Sequence, residues 1–194
     1  MFLNSKHLKE ESIMAMVQPI RDIKDIENMK RVLKKSGQRD YMLFLTGINT
    51  GLRISDILKL KVSDVKGKSH ISIKEKKTGK NKRLLLNAPF KVELDEYIAD
   101  MQDDEPLFKS QKGYNKPIGV VRAWGLLKDA AEKCDLDEIG THTLRKTFGY
   151  HFYQQYKDVA LLQEIFNHSS PSVTLRYIGI NADIVDTAIS KFNL

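Results

Sequence analysis

From Asp22 to Lys35 the apolar positions Ile23, Ile26, Met29, Val32 and Leu33 recur three and four residues apart, the period of one helix face, and Gly37 supplies the stop. The next stretch, "RDYMLFLTGINTG", is apolar almost all round, which predicts a buried helix ending at Gly51, and "LRISDILKL" predicts another helix straight afterwards. The period then changes. "HISIKEKKTGKNKRLLL" alternates apolar and polar residues, turns through Thr78-Gly79-Lys80-Asn81 and resumes at Arg83 to Leu86, the pattern of a lysine-rich β-hairpin.

Helical spacing returns in "PFKVELDEYIADM" and, after the loop "DDEPLF", in "PIGVVRAWGLLKDAAEKC". Further helices are predicted from Thr143 to about Gln155, from Asp158 to Phe166, and from Ser170, an N-cap followed by Pro171 at the first helical position. Tyr177 falls near the end of that last helix, with Gly179 as its C-cap. An amphipathic tail from Ala182 to Phe192 carries Ile184, Val185, Ala188, Ile189 and Phe192 in one stripe. The elements add up to a mainly α fold (α+β), a helical bundle with one small antiparallel β-hairpin or sheet.

No repeat, low-complexity segment or Pro/Gly/Ser-rich linker divides the chain, so residues 18–194 read as one domain, with 182–194 as a tail helix and 1–17 as a short charged arm. A length of 194 residues suits one well-buried core. The formal net charge of +7 is the unusual feature: it suits a polyanionic partner, although a merely basic, solvated surface would give the same number. Cys134 is the single cysteine, which rules out an internal disulfide and leaves no zinc-finger spacing; a reducing cytoplasm is expected. The opening "MFLNSKHLKEESIMAMV" has no signal-peptide core, and no segment reaches membrane-spanning length, so a soluble protein without a membrane partner is expected.

Several side chains carry candidate chemistry. Arg53 stands two residues after Gly51 at a predicted helix start, where the dipole favours an anion; a salt bridge with Asp56 is the ordinary alternative. In "THTLRKTF", His142 and Arg145 lie three apart and share a helix face suited to an anionic oxygen, or else serve as a capping histidine and a solvated arginine. His168 ends "VALLQEIFNH", where a helix C-terminus stabilises a cation. Lys77 closes the first hairpin strand within a lysine run that also reads as a solvated face. Tyr177 alone reads as a half-buried core aromatic. Each has an ordinary explanation singly; together they call for a common cause.

"TGLRISDILKLKVSDV", "KKTG", "HTLRKTFGYHF" and "LLQEIFNHSSPSVTLRYIGI" together resemble the catalytic domain of the tyrosine recombinases, the phage integrase family, in order and spacing from about Gln18 onward. The resemblance implies that Arg53, Lys77, His142, Arg145 and His168 surround a scissile phosphate of double-stranded DNA and that Tyr177 is the nucleophile. It implies a site-specific recombinase that cuts and rejoins strands through a covalent 3′-phosphotyrosine, as in integration, excision or resolution, without metal or cofactor. Lys77 would then protonate the leaving 5′-oxygen, and His142 would exchange the proton of the tyrosine hydroxyl. It also implies a tetramer assembled on DNA through the tail, where the ordinary alternative is a terminal helix folded back on its own domain.

Departures from the family pattern are Asn167 where glycine is common, Asp56 where glutamate is common, and Lys146 where histidine is frequent. None removes a reacting group. His151 matches a recurrent family histidine and reads as structural, buried on the helix face away from the site. Typical members also carry an amino-terminal helical domain that clamps the other side of the DNA, which the residues ahead of Gln18 are too few to supply. Two other functions fit the same fold: a non-cleaving DNA-binding regulator or accessory protein, and a type IB topoisomerase-like activity.

Overall fold

The computed structural model describes residues 17–75 and 78–193. Most of the arm, 1–16, and Lys77 lie outside the described residues. Helix α1 (Ile23–Ser36) starts at Asp22, whose carboxylate accepts from Lys24 N, and ends at Gly37. Helix α2 (Gln38–Thr50) is buried on most sides and stops at Gly51, which takes the left-handed conformation at φ 60°. The helix expected next is far shorter: α3 spans Ile54–Ile57, with Arg53 as its N-cap, and a 3-10 turn follows at Val62–Asp64. Leu52, Ile57, Leu58 and Leu60 are all buried there, so side-chain packing rather than a continuous helical ladder holds this segment.

Strands β1 (His70–Lys74) and β2 (Asn81–Leu85) form a two-stranded antiparallel hairpin with His70 opposite Leu85 and Lys74 opposite Asn81. Next come α4 (Ala88–Ile98), capped by Asn87, and α5 (Val120–Glu132). Helix α6 (Thr141–Tyr156) is the central rod, followed by α7 (Val159–Phe166) with Asp158 as N-cap. Helix α8 (Pro171–Tyr177) begins at Ser170, whose hydroxyl accepts from Val173 N. Its C-cap is Ile178 rather than Gly179; the glycine, at φ 85°, instead opens the tail helix α9 (Ile180–Ser190).

Two apolar clusters result. The larger joins α1, α2, α4, α5 and the hairpin around Met29, Leu43, Phe44, Ile71 and Leu127. The smaller gathers Leu162, Phe166, Ile178 and Ile180 with Phe148, Phe152 and Tyr177. Helix α6 serves both, with Leu144 in the first and Phe148 against the second. Glycines let it approach its neighbours closely. A Cβ on Gly149 would sit 2.7 Å from Ile178 and Phe166 atoms, and one on Gly47 of α2 would sit 2.4 Å from Leu144.

The segment ahead of α1 is stitched to α6: Ile20 N donates to Thr147 Oγ1 at 2.9 Å, Lys146 Nζ donates to Val17 O at 2.6 Å, and the His151 ring nitrogen meets Ile20 O at 2.9 Å. His151 is thus half-buried against this segment rather than fully enclosed.

Gly149→Ala is expected to cost about 1–3 kcal/mol by overpacking α6 against Phe166 and Ile178, lowering the thermal midpoint by roughly 3–10 °C. Gly125→Ala, in α5 with nothing within 4 Å of the added Cβ, should leave the midpoint unchanged or raise it. Equal midpoints for the two variants in a thermal melt would contradict the packing described.

Candidate active site

Four of the sequence-predicted residues, Arg53, Arg145, His168 and Tyr177, converge on the seam between the two clusters. Arg145, on the second turn of α6, is 2% exposed, so the solvated alternative does not hold. Its Nη1 donates to Gly51 O at 2.6 Å and its Nη2 to Phe166 O at 2.8 Å. These are carbonyls at the C-terminal ends of α2 and α7, where a cation is favoured. The guanidinium also stacks over the Phe166 ring at 4.1 Å and donates to the Tyr177 hydroxyl.

Tyr177 closes α8. As a residue it is half-buried, but its phenol end points into the seam. Burial pushes its pKa up, while Arg145 and Arg53 pull against that shift. The hydroxyl is therefore protonated at neutral pH and lies beside the cations that would stabilise its anion. Phe166 meets the ring edge-on at 5.7 Å and His168 does so at 5.1 Å. Lys146 Nζ lies 5.5 Å above the same ring.

His168 follows Asn167, which takes the left-handed C-cap position of α7 at φ 55°. That conformation explains the departure from glycine: asparagine is among the few other residues that tolerate it, and here its Oδ1 also accepts from Lys80 Nζ at 2.9 Å. The imidazole Nδ1 is 3.1 Å from Thr174 Oγ1, on the buried face of α8. Burial foremost, then the charges of Arg145, Arg53 and Lys82, lower its pKa to about 4. The cationic histidine expected from the helix end is thus neutral at pH 7.

Arg53 is not held by a helix dipole, since α3 has a single turn. Its Nη1 instead donates to Glu75 Oε1 at 2.8 Å. Lys82, on β2, approaches the same oxygen at 3.8 Å and donates to Ile165 O, next to the carbonyl that Arg145 bonds. Its pKa falls to about 8, through burial first and the Arg145 charge second. Not all of the lysine run is therefore a solvated face. His142 is half-buried on the first turn of α6, three residues before Arg145. Among the described residues no group of three His, Cys, Asp or Glu side chains could hold a metal, and no helix is long and apolar enough to cross a membrane.

Glu75, Lys82, Thr174 and Phe166 belong to this site and did not stand out in the sequence. Glu75 is one acid in a lysine run, and Lys82 is one lysine among several. Strand parity was the available signal, because Lys80 and Lys82 lie two apart on one face and both reach the end of α7.

The phage integrase family model matches residues 19–183. The probable integrase/recombinase YoeC of Bacillus subtilis strain 168 is 52% identical over 179 residues, spanning 92% of this chain and 98% of that protein. The tyrosine recombinase XerA of Pyrococcus furiosus is 28% identical, over 88% of this chain but 60% of its own length. The tyrosine recombinase XerD of Corynebacterium glutamicum is 31% identical over 75% of this chain and 49% of its own. Among solved structures, XerA recombinase superposes with a TM-score of 0.72 at 20% identity, covering 91% of this chain and 67% of that one. XerH bound to its palindromic difH substrate does so at 0.70 and 22%, covering 90% and 53%. The chain thus spans about half to two thirds of these Xer proteins and nearly all of the Bacillus relative, and on the strength of both the family match and that relative it belongs to the phage integrase family, the tyrosine recombinases that its motifs resemble.

Proposed function

We propose that the chain is the catalytic domain, residues 18–194, of a site-specific DNA recombinase that acts in the cytoplasm on double-stranded DNA. The observation that carries this reading is the contact between the buried Arg145 guanidinium and the Tyr177 hydroxyl, with Arg53 and His168 beside them. A phenol attacking a phosphodiester gathers negative charge on the nonbridging oxygens, and preorganised cations stabilise that charge without reorganising at the moment of reaction. In this scheme Arg53 and Arg145 bind those oxygens. His168, neutral and steadied by Thr174, donates a hydrogen bond to one of them.

Tyr177 Oη attacks phosphorus and the bond to the 5′-oxygen breaks, leaving a 3′-phosphotyrosine and a 5′-hydroxyl. The tyrosine proton passes to His142, and Lys77 protonates the leaving oxygen. The phosphotyrosine conserves the bond free energy, so a 5′-hydroxyl from a second duplex reseals the strand. XerH, caught with its DNA substrate in a post-cleavage complex, supports this reading through its shared fold.

Assembly is the second part of the proposal. In α9, Ile184, Val185 and Ile189 are more than half exposed, and Phe192 just beyond is 71% exposed, so the tail stripe finds no cover among the described residues. A neighbouring subunit on DNA would bury it. Four such side chains contribute about 1.5–3 kcal/mol each, against an association cost of roughly 4–15 kcal/mol. A monomer in free solution and a tetramer on paired DNA sites follow.

With a DNA substrate nicked near the cleavage point, wild type should trap a covalent adduct. Tyr177→Phe should trap none while its Kd for the site changes by less than about threefold, because one hydroxyl adds little to grip. An adduct formed by the Phe variant would sink the nucleophile assignment, and relaxation of supercoils without joining two duplexes would favour a topoisomerase.

Deleting residues 182–194 should leave single-site binding intact and abolish paired-site complexes in gel mobility and sedimentation. Val185→Glu with Ile189→Lys keeps the helix and should do the same. Paired-site complexes formed normally by either variant would contradict the tail's role.

A further inference from the structure

Glu75 is a carboxylate buried among cations, its side chain 1% exposed. One oxygen accepts from Arg53 Nη1 at 2.8 Å and lies 3.8 Å from Lys82 Nζ; the other accepts from the Thr78 hydroxyl at 2.8 Å. Two main-chain bonds fix its position at the end of β1: Glu75 N donates to Lys80 O and Gly79 N to Glu75 O, each at 2.9 Å. Burial by itself pushes the carboxyl pKa up, but the Thr78 bond and the charges of Arg53, Lys82 and Arg145 outweigh it and hold the group below its usual range. Glu75 is accordingly ionised at neutral pH.

A buried ion pair is seldom the cheapest way to stabilise a fold, since apolar side chains of similar volume serve as well or better. This one acts on the geometry of the site. Arg53, Arg145 and Lys82 carry like charges close enough to repel one another. An acid between Arg53 and Lys82 offsets that repulsion and sets where both side chains point. The bond to Glu75 engages one of the five N–H groups of the Arg53 guanidinium. The remaining donors are those that meet a bidentate oxyanion.

We propose that Glu75 is a positioning residue for the phosphate site, anchoring Arg53 by Nη1 and Lys82 by its ammonium so that both are aligned before DNA arrives and stay anchored while the phosphate is bound. The proposal rests on the strand-transferase reading above. It concerns how the cation pair is held, not which group is the nucleophile.

A double-mutant cycle on the nicked substrate tests it. Glu75→Gln keeps shape and removes charge; adduct formation should slow by roughly tenfold or more while DNA affinity changes by less than about threefold. Made on an Arg53→Ala background, the same change should slow the reaction by less than about threefold, because only the longer contact to Lys82 is left to lose. Wild-type rates in Glu75→Gln, or a loss that multiplies in full with Arg53→Ala, overturns the proposal.

Should Glu75→Gln fail to fold, Thr78→Val, which removes one hold on the carboxylate and keeps its charge, should give a smaller slowing with the same dependence on Arg53. Guanidinium NMR of the DNA-free protein adds a readout independent of cleavage. Rotation about the Arg53 Cζ–Nη bond should be hindered in wild type and freed in either variant, and equal rotation in all three would refute the anchoring. Absence of any adduct in wild type would defeat the strand-transferase reading instead, with the NMR comparison still deciding the role of Glu75.

Discussion

The buried guanidinium of Arg145 ties the two apolar clusters to each other and to the candidate site. It reaches from the carbonyl at Gly51, which belongs to the larger core, to the carbonyl at Phe166, which belongs to the smaller one, and its face lies on the Phe166 ring. Both carbonyls are helix ends that would otherwise be orphaned away from water, at about 1–3 kcal/mol each. One side chain satisfies both and joins the two halves. The same contacts hold its remaining surface against Tyr177. Arginine alone combines the reach, the planar fork and a charge that survives burial.

The electrostatics follow from that choice. A cation at the seam, with Arg53 and Lys82 close by, makes a pocket tuned for an anion and hostile to further protonation. His168 is therefore held neutral with a pKa near 4, and Lys82 is lowered to about 8. Tyr177 is pushed the other way by burial and stays protonated until a base takes its proton. The balance that keeps the pocket assembled without DNA is supplied by Glu75, placed by the hairpin turn.

Much of this was legible in the sequence, and the boundary has physical causes. Helices α1, α2, α4, α5, α6 and α7 followed from apolar periodicity, and the start of α8 from Ser170 and Pro171, because local propensity and burial agreed there. The segment after Gly51 did not, because an apolar run reads as a helix even where tertiary packing holds a single turn and a 3-10 turn. Motif spacing singled out Arg53, His142, Arg145, His168 and Tyr177 as candidates, and the fold brings Arg53, Arg145, His168 and Tyr177 together. The partners that tune them were not: Glu75 reaches Arg53 across 22 positions, and Arg145 reaches Gly51 across 94. Such pairings carry no local pattern. The neutral state of His168 was likewise hidden, since the helix end argued for a cation while burial and neighbouring charge decide otherwise.

If one side chain joins fold and site, chemical denaturation of Arg145→Lys should show it. Lysine keeps the charge but, with one nitrogen on a shorter reach, cannot bond the Gly51 and Phe166 carbonyls and lie over the Phe166 ring together. The variant should lose about 3 kcal/mol or more of unfolding free energy, from at least one orphaned carbonyl and the lost stacking. A midpoint and slope unchanged from wild type would mean that the two halves are held together by something other than Arg145.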